Sequence, residues 1–243
     1  MRIIQLSDIH LFSDEGELTT IHFNNFNRVV DFIIDNKHAL NADFIIVTGD
    51  ISHDGGLPSY DVFFNLMAKI GLPFYYLPGN HDNSINLCSS GVKHGAVSDT
   101  SLVYDEDWVV ITIDSIFENE DFGFISNNSL RDLEHAANSA GGKNIALFMH
   151  HHLIPVGTPI VDDCMLRNAS DVLELCLRLN IKFIGSGHAH TLFQRKIESA
   201  LVSVCPAICS QWLNGTKEVN VVKNSGFNIV SLDDNIHIET WLI

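Results

Sequence analysis

Five short stretches of this sequence carry residue types that can hold cations. They are Asp8-Ile9-His10, Gly49-Asp50, Gly79-Asn80-His81-Asp82, Met149-His150-His151-His152 and Gly187-His188-Ala189-His190. Each directly follows a short β-branched or aromatic run. A single strand-end Asp or His is more often a turn former or surface residue than a ligand, so the weight lies in the ordered set. Asp8, His10, Asp50, Asn80, His150, His188 and His190 offer two carboxylates, one amide and four imidazoles. Two hard-to-borderline cations about 3.5–4 Å apart need this mixture of oxygen and nitrogen, with one group able to bridge. Two divalent ions against two carboxylates and a bridging hydroxide leave one net positive charge, which suits a singly charged phosphodiester.

Spacing adds a second expectation. Asp8 and His10 stand two apart, as do His188 and His190. In extended backbone such residues point to the same side, so each pair is expected to face one ion. The same alternation predicts that His151 faces away from His150.

The elements that must position these groups are legible as patterns. Residues 3–6, 44–47 and 74–77 read as buried strands that end at the first three motifs. Between them Phe26, Val29, Val30, Ile33 and Ile34 form one helical stripe, and Tyr60, Phe63, Phe64, Met67 and Ala68 form another. The second helix is entered after Pro58 and closed by Gly71. Near-continuous apolar strands alternating with helices predict parallel pairing, with ligands beyond the C-terminal strand ends. Residues 83–100 are Ser, Asn and Gly rich and predict a loop with at most a short helix. Residues 101–104 and 109–113 predict a strand pair. Leu130, Leu133, Ala137 and Ala140 mark a third helix capped by Ser126 or Ser129 and ended by Gly141-Gly142. Val172, Leu175, Cys176 and Leu179 mark a fourth. Strands are expected at 145–149 and 181–184, then at 201–204, 219–222, 228–232 and 236–242. The expected fold class is α/β: two mixed sheets face to face with helices outside, a four-layer αββα sandwich, as one domain over residues 1–243.

Composition narrows the partners. The chain has 243 residues, 46% of them hydrophobic, and a formal net charge of −16. Such a surface repels a long polyanion, so no nucleic-acid polymer is expected. No signal peptide precedes Asp8 and no apolar run approaches the ~20 residues of a membrane span, so no membrane partner and a cytoplasmic location are expected. The five cysteines, without CxxC spacing, are expected to be reduced thiols. Whether the chain self-associates is left open.

The ordered set D-x-H, G-D, G-N-H-D, H and G-H-x-H resembles the calcineurin-like metallophosphoesterases, over nearly the whole chain. Leu77-Pro78, the triple histidine followed by Pro155-Val156-Gly157, and Leu166-Arg167-Asn168-Ala169 resemble the bacterial class III cyclic-nucleotide phosphodiesterases more closely. The resemblance implies the sandwich fold, a two-metal centre of iron or manganese, with zinc or cobalt as alternatives, and hydrolysis of 3′,5′-cyclic AMP to AMP. Carried across, Asp8, His10 and His190 hold one ion, Asn80, His150 and His188 the other, and Asp50 bridges. A bridging hydroxide attacks phosphorus in line, and His81 assists as the non-ligand histidine beside the substrate. Asn80, His81 and His190 then also meet the substrate.

Other residues carry weaker expectations. Asp54 is offered as the partner that orients His81. Asn168 and Arg167 are candidates for contact with phosphate or base, and Asn168 is equally a candidate helix cap. His151 and His152 read as packing groups, with His152 near substrate as an alternative. His22, His38, His53, His94, His135 and His237 read as surface or loop histidines. Substrate choice is expected to lie in loops 155–167 and 206–223. Alternatives are another phosphoester, such as a glycerophosphodiester, a 2′,3′-cyclic nucleotide, a nucleotide pyrophosphate or a phosphomonoester. A non-catalytic scaffold predicts eroded ligand positions, and none of the seven is eroded.

Overall fold

The apolar strands and striped helices assemble as follows in a computed structural model, which describes residues 1–96 and 103–243. The chain runs β1 (Arg2–Leu6), α1 (Glu17–Asp35), α2 (Lys37–Leu40), β2 (Phe44–Thr48), α3 (Leu57–Ile70), β3 (Phe74–Leu77), α4 (Ser84–Lys93), β4 (Val103–Tyr104) and β5 (Trp108–Thr112). It continues α5 (Asn127–Ser139), β6 (Asn144–Phe148), α6 (Pro159–Asp162), α7 (Ala169–Arg178) and β7 (Ile181–Ser186). It closes with β8 (Phe193–Ile197), β9 (Ala200–Val204), β10 (Gln211–Trp212), β11 (Val221–Val222), β12 (Gly226–Leu232) and β13 (Ile236–Leu242).

Two mixed sheets result. One has the order β13-β12-β1-β2-β3, the other β4-β5-β6-β7-β9-β8, and β10 and β11 form a separate ribbon. β1, β2 and β3 pair in parallel, as do β5, β6, β7 and β9. The parallel strands therefore bring their C-terminal ends to one edge of each sheet. Three apolar cores separate the four layers. Phe26, Val30, Phe63 and Met67 from α1 and α3 pack on Ile4, Leu6, Ile45 and Val47. Leu133 and Val172 from α5 and α7 pack on Ile111, Leu147 and Ile184 of the second sheet. Ile3, Phe44, Ile46 and Leu77 meet Trp108, Val110, Phe148 and Phe183 between the sheets. Fully burying one such side chain is worth about 1.5–3 kcal/mol.

Local chemistry explains the helix ends. α3 has Pro58 in its first turn and stops at Gly71, whose φ of 65° is the left-handed value glycine takes readily. Ser126 caps α5 by accepting the N–H of Ser129.

Several expectations need correction. Ile34 lies outside the buried stripe of α1 and is exposed, because the stripe narrows to Phe26, Val29, Val30 and Ile33. Residues 84–93 are a ten-residue helix rather than a loop with at most a short helix. Asn83 caps it through the N–H of Asn86, and Leu87, Ser90 and Gly91 are buried. β8 and β10 were not anticipated; β8 has the polar interior Gln194-Arg195-Lys196 of an exposed edge strand. Residues 101 and 102 of the expected strand pair lie outside the described residues, while β4 and β5 do pair antiparallel. No helix among the described residues is long and apolar enough to cross a membrane.

Candidate metal centre

Five strand ends deliver the seven candidate ligands. β1 leads to Asp8 and His10, β2 to Asp50, β3 to Asn80, β6 to His150, and β7 to His188 and His190. All except Asn80 are buried, and Asn80 is half-buried. The groups from the two sheets meet. Nε2 of His10 lies 3.1 Å from Nε2 of His190 and 3.3 Å from Oδ2 of Asp50. Nε2 of His190 is 3.6 Å from Oδ1 of Asp8. On the other side Oδ1 of Asn80 lies 3.0 Å from Nε2 of His150 and 3.1 Å from Nδ1 of His188. Nε2 of His150 is 3.5 Å from the same Oδ2 of Asp50. Asp50 thus stands between a cluster of Asp8, His10 and His190 and a cluster of Asn80, His150 and His188.

The backbone beneath these groups corrects the reading by alternation. Asp8, His10, Asp50, His188 and His190 all have φ between 46° and 69°, in the left-handed region. None of the two-apart pairs is extended; the chain turns at both members. A non-glycine residue there costs about 1–2 kcal/mol, and such strain persists where surrounding bonds over-determine it. Here the N–H groups of Ile9 and His10 both reach the carbonyl of Asp50, and the N–H of His188 reaches both oxygens of the Asp8 carboxylate. Gly79 is required by close approach: a Cβ there would collide with the Asp50 carboxylate.

Hydrogen bonds set which ring nitrogen faces inward. Nδ1 of His150 lies 2.7 Å from the carbonyl of Thr48, and Nδ1 of His190 lies 3.2 Å from that of Ser210. A carbonyl only accepts, so both rings carry hydrogen on Nδ1 and, when neutral, present a bare Nε2 to the centre. Burial pushes His190 down to about 3, and it pushes His10 and His188 well below the ordinary histidine value. Burial also opposes charge on Asp50, but His150 and His10 outweigh it and hold that carboxyl well below its usual range. Burial opposes charge on His150, but Asp50 outweighs it and raises that ring to about 9. It is therefore the His10–His190 contact at 3.1 Å that sets two uncharged nitrogens face to face, and these repel unless a hydrogen or a cation lies between them. Together with a shared carboxylate and a converging amide oxygen, this donor set fits metal binding.

His81 lies beside the cluster, with a ring nitrogen within 4.8 Å of those of His10 and His53, a grouping that could itself hold an ion. Its N–H donates to Oδ1 of Asp50 at 3.0 Å, and its ring is edge-on to His10. Its Nδ1 faces the carbonyl of His53 at 3.1 Å. Asp54 is therefore not its partner: that carboxylate accepts from the N–H and hydroxyl of Ser13, the hydroxyl of Ser52 and the N–H of Gly56. Asn168 neither caps α7 with its side chain nor is free for a ligand, since its amide holds both the N–H and the carbonyl of Ile125. Arg167 lies over the ring of Phe122.

His151 does not turn away from His150. β6 ends at Phe148, so alternation stops there, and the His151 ring packs at 4.9 Å from His150 and 4.6 Å from His188. Its nitrogens face Ser115 and the Asp121 carbonyl, which makes it a packing group. His152 is fully buried and stacks on His188.

Sequence reasoning missed four supports. Asp82 accepts the N–H groups of Ile51, Ser52 and Gly79 and the hydroxyl of Tyr60, tying the ends of β2 and β3 together. Trp212 stacks on His190 at 4.1 Å. His22 and His53, read as surface or loop histidines, both touch His10, through its carbonyl and its Nδ1 respectively. Only the position of Asp82 inside the Gly-Asn-His-Asp motif offered a signal.

Comparison with known proteins agrees with this geometry. Residues 1–192 match the family described as calcineurin-like phosphoesterase. A protein of Xenorhabdus bovienii named probable cyclic nucleotide phosphodiesterase is 37% identical, with 100% of each chain covered. The 3′,5′-cyclic adenosine monophosphate phosphodiesterase CpdA of Pseudomonas aeruginosa is 28% identical over 99% of this chain and 88% of its own. A dimetal phosphatase from Danio rerio shares the fold with a TM-score of 0.71 at 13% identity, covering 100% of this chain and 98% of that one. With the motifs in order, the strand ends converging and the donors set for cations, the chain belongs to the calcineurin-like phosphoesterase family.

Proposed function

We propose that this protein is a phosphodiesterase that hydrolyses 3′,5′-cyclic AMP to AMP at a centre for two metal ions. The observation that carries the reading is the position of Asp50, whose Oδ2 lies within 3.3–3.5 Å of an imidazole nitrogen from each cluster. Asp8, His10 and His190 would hold one ion and Asn80, His150 and His188 the other, with the Asp50 carboxylate available to both. Iron and manganese are the proposed occupants, with zinc or cobalt as alternatives, because imidazole, carboxylate and amide donors suit all four. When bound, the pair supplies Lewis acidity toward a phosphoryl oxygen and toward water.

The protein's own groups do the rest. Asn80, His81 and His190 border the phosphoryl group. With Nδ1–H of His81 donated to the His53 carbonyl, Nε2 is the atom left to act. As water oxygen adds to phosphorus and the bond from phosphorus to the 3′ oxygen breaks, Nε2–H of His81 gives that oxygen its proton. The proton given up by the attacking water passes to solvent, from which His81 regains its own. The names of the two relatives support a cyclic-nucleotide substrate.

The test is a rate comparison with manganese-loaded protein across cyclic AMP, cyclic GMP, a 2′,3′-cyclic nucleotide, an aryl diester and an aryl monoester. Cyclic AMP should give the highest kcat/KM. A higher value for any of the others would replace it as the substrate.

A further inference from the structure

We propose that His53 is a positioning residue that fixes the working form of His10. The inference rests on the reading of His10 as a metal ligand.

His10 differs from the two histidines whose outer nitrogens face carbonyls. His150 and His190 turn Nδ1 to the carbonyls of Thr48 and Ser210, which can only accept. His10 turns Nδ1 to another imidazole, Nδ1 of His53, at 3.2 Å. Two nitrogens at that distance share one hydrogen. For Nε2 of His10 to offer its lone pair at the centre, the hydrogen must sit on Nδ1 of His10, so Nδ1 of His53 must accept it. His53 then carries its own hydrogen on Nε2. The ring of His53 belongs to an exposed residue, so water can satisfy that group.

His53 is held for this task. Its N–H donates to the carbonyl of Leu11 at 2.8 Å, and its carbonyl receives Nδ1 of His81. Its ring lies 4.5 Å from Phe12 and stacks on His81 at 4.8 Å. An idle surface histidine would leave its side chain free, whereas this one is fixed by three neighbouring rings. The contact to His81 runs through the His53 backbone, so changing the His53 side chain leaves that hydrogen bond available. The side chain's hydrogen bond goes to His10, and its ring contacts to Phe12 and His81 hold it there.

The test uses full-length protein and manganese titrated by calorimetry. Asn places its amide oxygen where His carries Nδ1, two bonds beyond Cβ, whereas Gln places it one bond further out. His53→Leu and His53→Gln should weaken one of the two manganese sites about 10–100-fold, the usual cost of losing a partner of a ligating histidine, and leave the other unchanged. His53→Asn should restore wild-type affinity. In zinc-loaded protein, nitrogen-15 spectra should show His10 protonated at Nδ1 in wild type and His53→Asn. Two wild-type manganese sites in His53→Leu, or equal weakening in the Asn and Leu variants, would overturn the role of His53 and leave the metal centre standing. Failure of the wild type to bind two manganese ions would overturn both readings.

Discussion

Oδ1 of Asp50 accepts the backbone N–H of His81 at 3.0 Å. The other oxygen, Oδ2, faces His10 and His150. One carboxylate thus divides its work between the loop that carries His81 and the two ligand clusters. Asp50→Ala removes both at once. It should lose stoichiometric metal on dialysis and phosphodiesterase activity together, read by elemental analysis and turnover. Retention of two ions would end the assignment of Asp50 as the bridge.

His81 is expected to separate binding from chemistry. No donor of either cluster lies within hydrogen-bonding distance of its side chain; the bond to Asp50 uses its backbone. His81→Ala should hold two ions like wild type and lose about 10²–10⁴-fold in kcat, the typical contribution of one positioned acid or base. Wild-type turnover in that variant would remove His81 from the mechanism.

Asp82 carries a structural burden beside the same motif. Its carboxylate accepts three backbone N–H groups and the Tyr60 hydroxyl. Asp82→Ala leaves these donors without their acceptor, and each unsatisfied group costs about 1–3 kcal/mol. Urea unfolding should show a loss of about 3 kcal/mol or more. A loss under about 1 kcal/mol would mean that water replaces the carboxylate.

Acid should loosen the contact between α3 and α4 through Asp61. Hydrogen bonds from Lys93 and Ser90, and then His94, hold this carboxyl down at about 2. A carboxyl lowered in the folded state stabilises the fold once ionised. That contribution is full above about 4, the value of a free aspartate, and is lost as pH falls through about 2. The site is partly solvated, so the effect should not exceed about 1 kcal/mol. The stability gap between wild type and Asp61→Asn should be widest at pH 5 and narrow by pH 3. A gap that does not change with pH would assign the contact to shape rather than charge.

The strand ends and the seven candidate ligands were legible because apolar runs stop abruptly at Asp, Asn and His in a fixed order. What alternation implied for residues 8–10, 149–152 and 188–190 was not legible, since periodicity describes strands and these residues lie just beyond them. α4 was expected as at most a short helix because its Ser, Asn and Gly composition argues against a longer one. Its packing on α3 and the Asp61 contacts supply what propensity does not. The roles of His53 and Asp54 depend on the shape of the turn after Asp50, for which a lone residue in a polar loop leaves no pattern. His53 meets His10, and Asp54 meets Ser13 instead of His81.

Five candidate ligands stand on backbone that an L side chain adopts only reluctantly. Glycine at any of them would relax the backbone but remove a buried side chain, and at Asp8 and Asp50 it would also orphan the N–H groups of His188 and His81. A search for heat-tolerant variants therefore has little to gain at residues 8, 10, 50, 188 and 190, where relief of the backbone and loss of burial oppose each other.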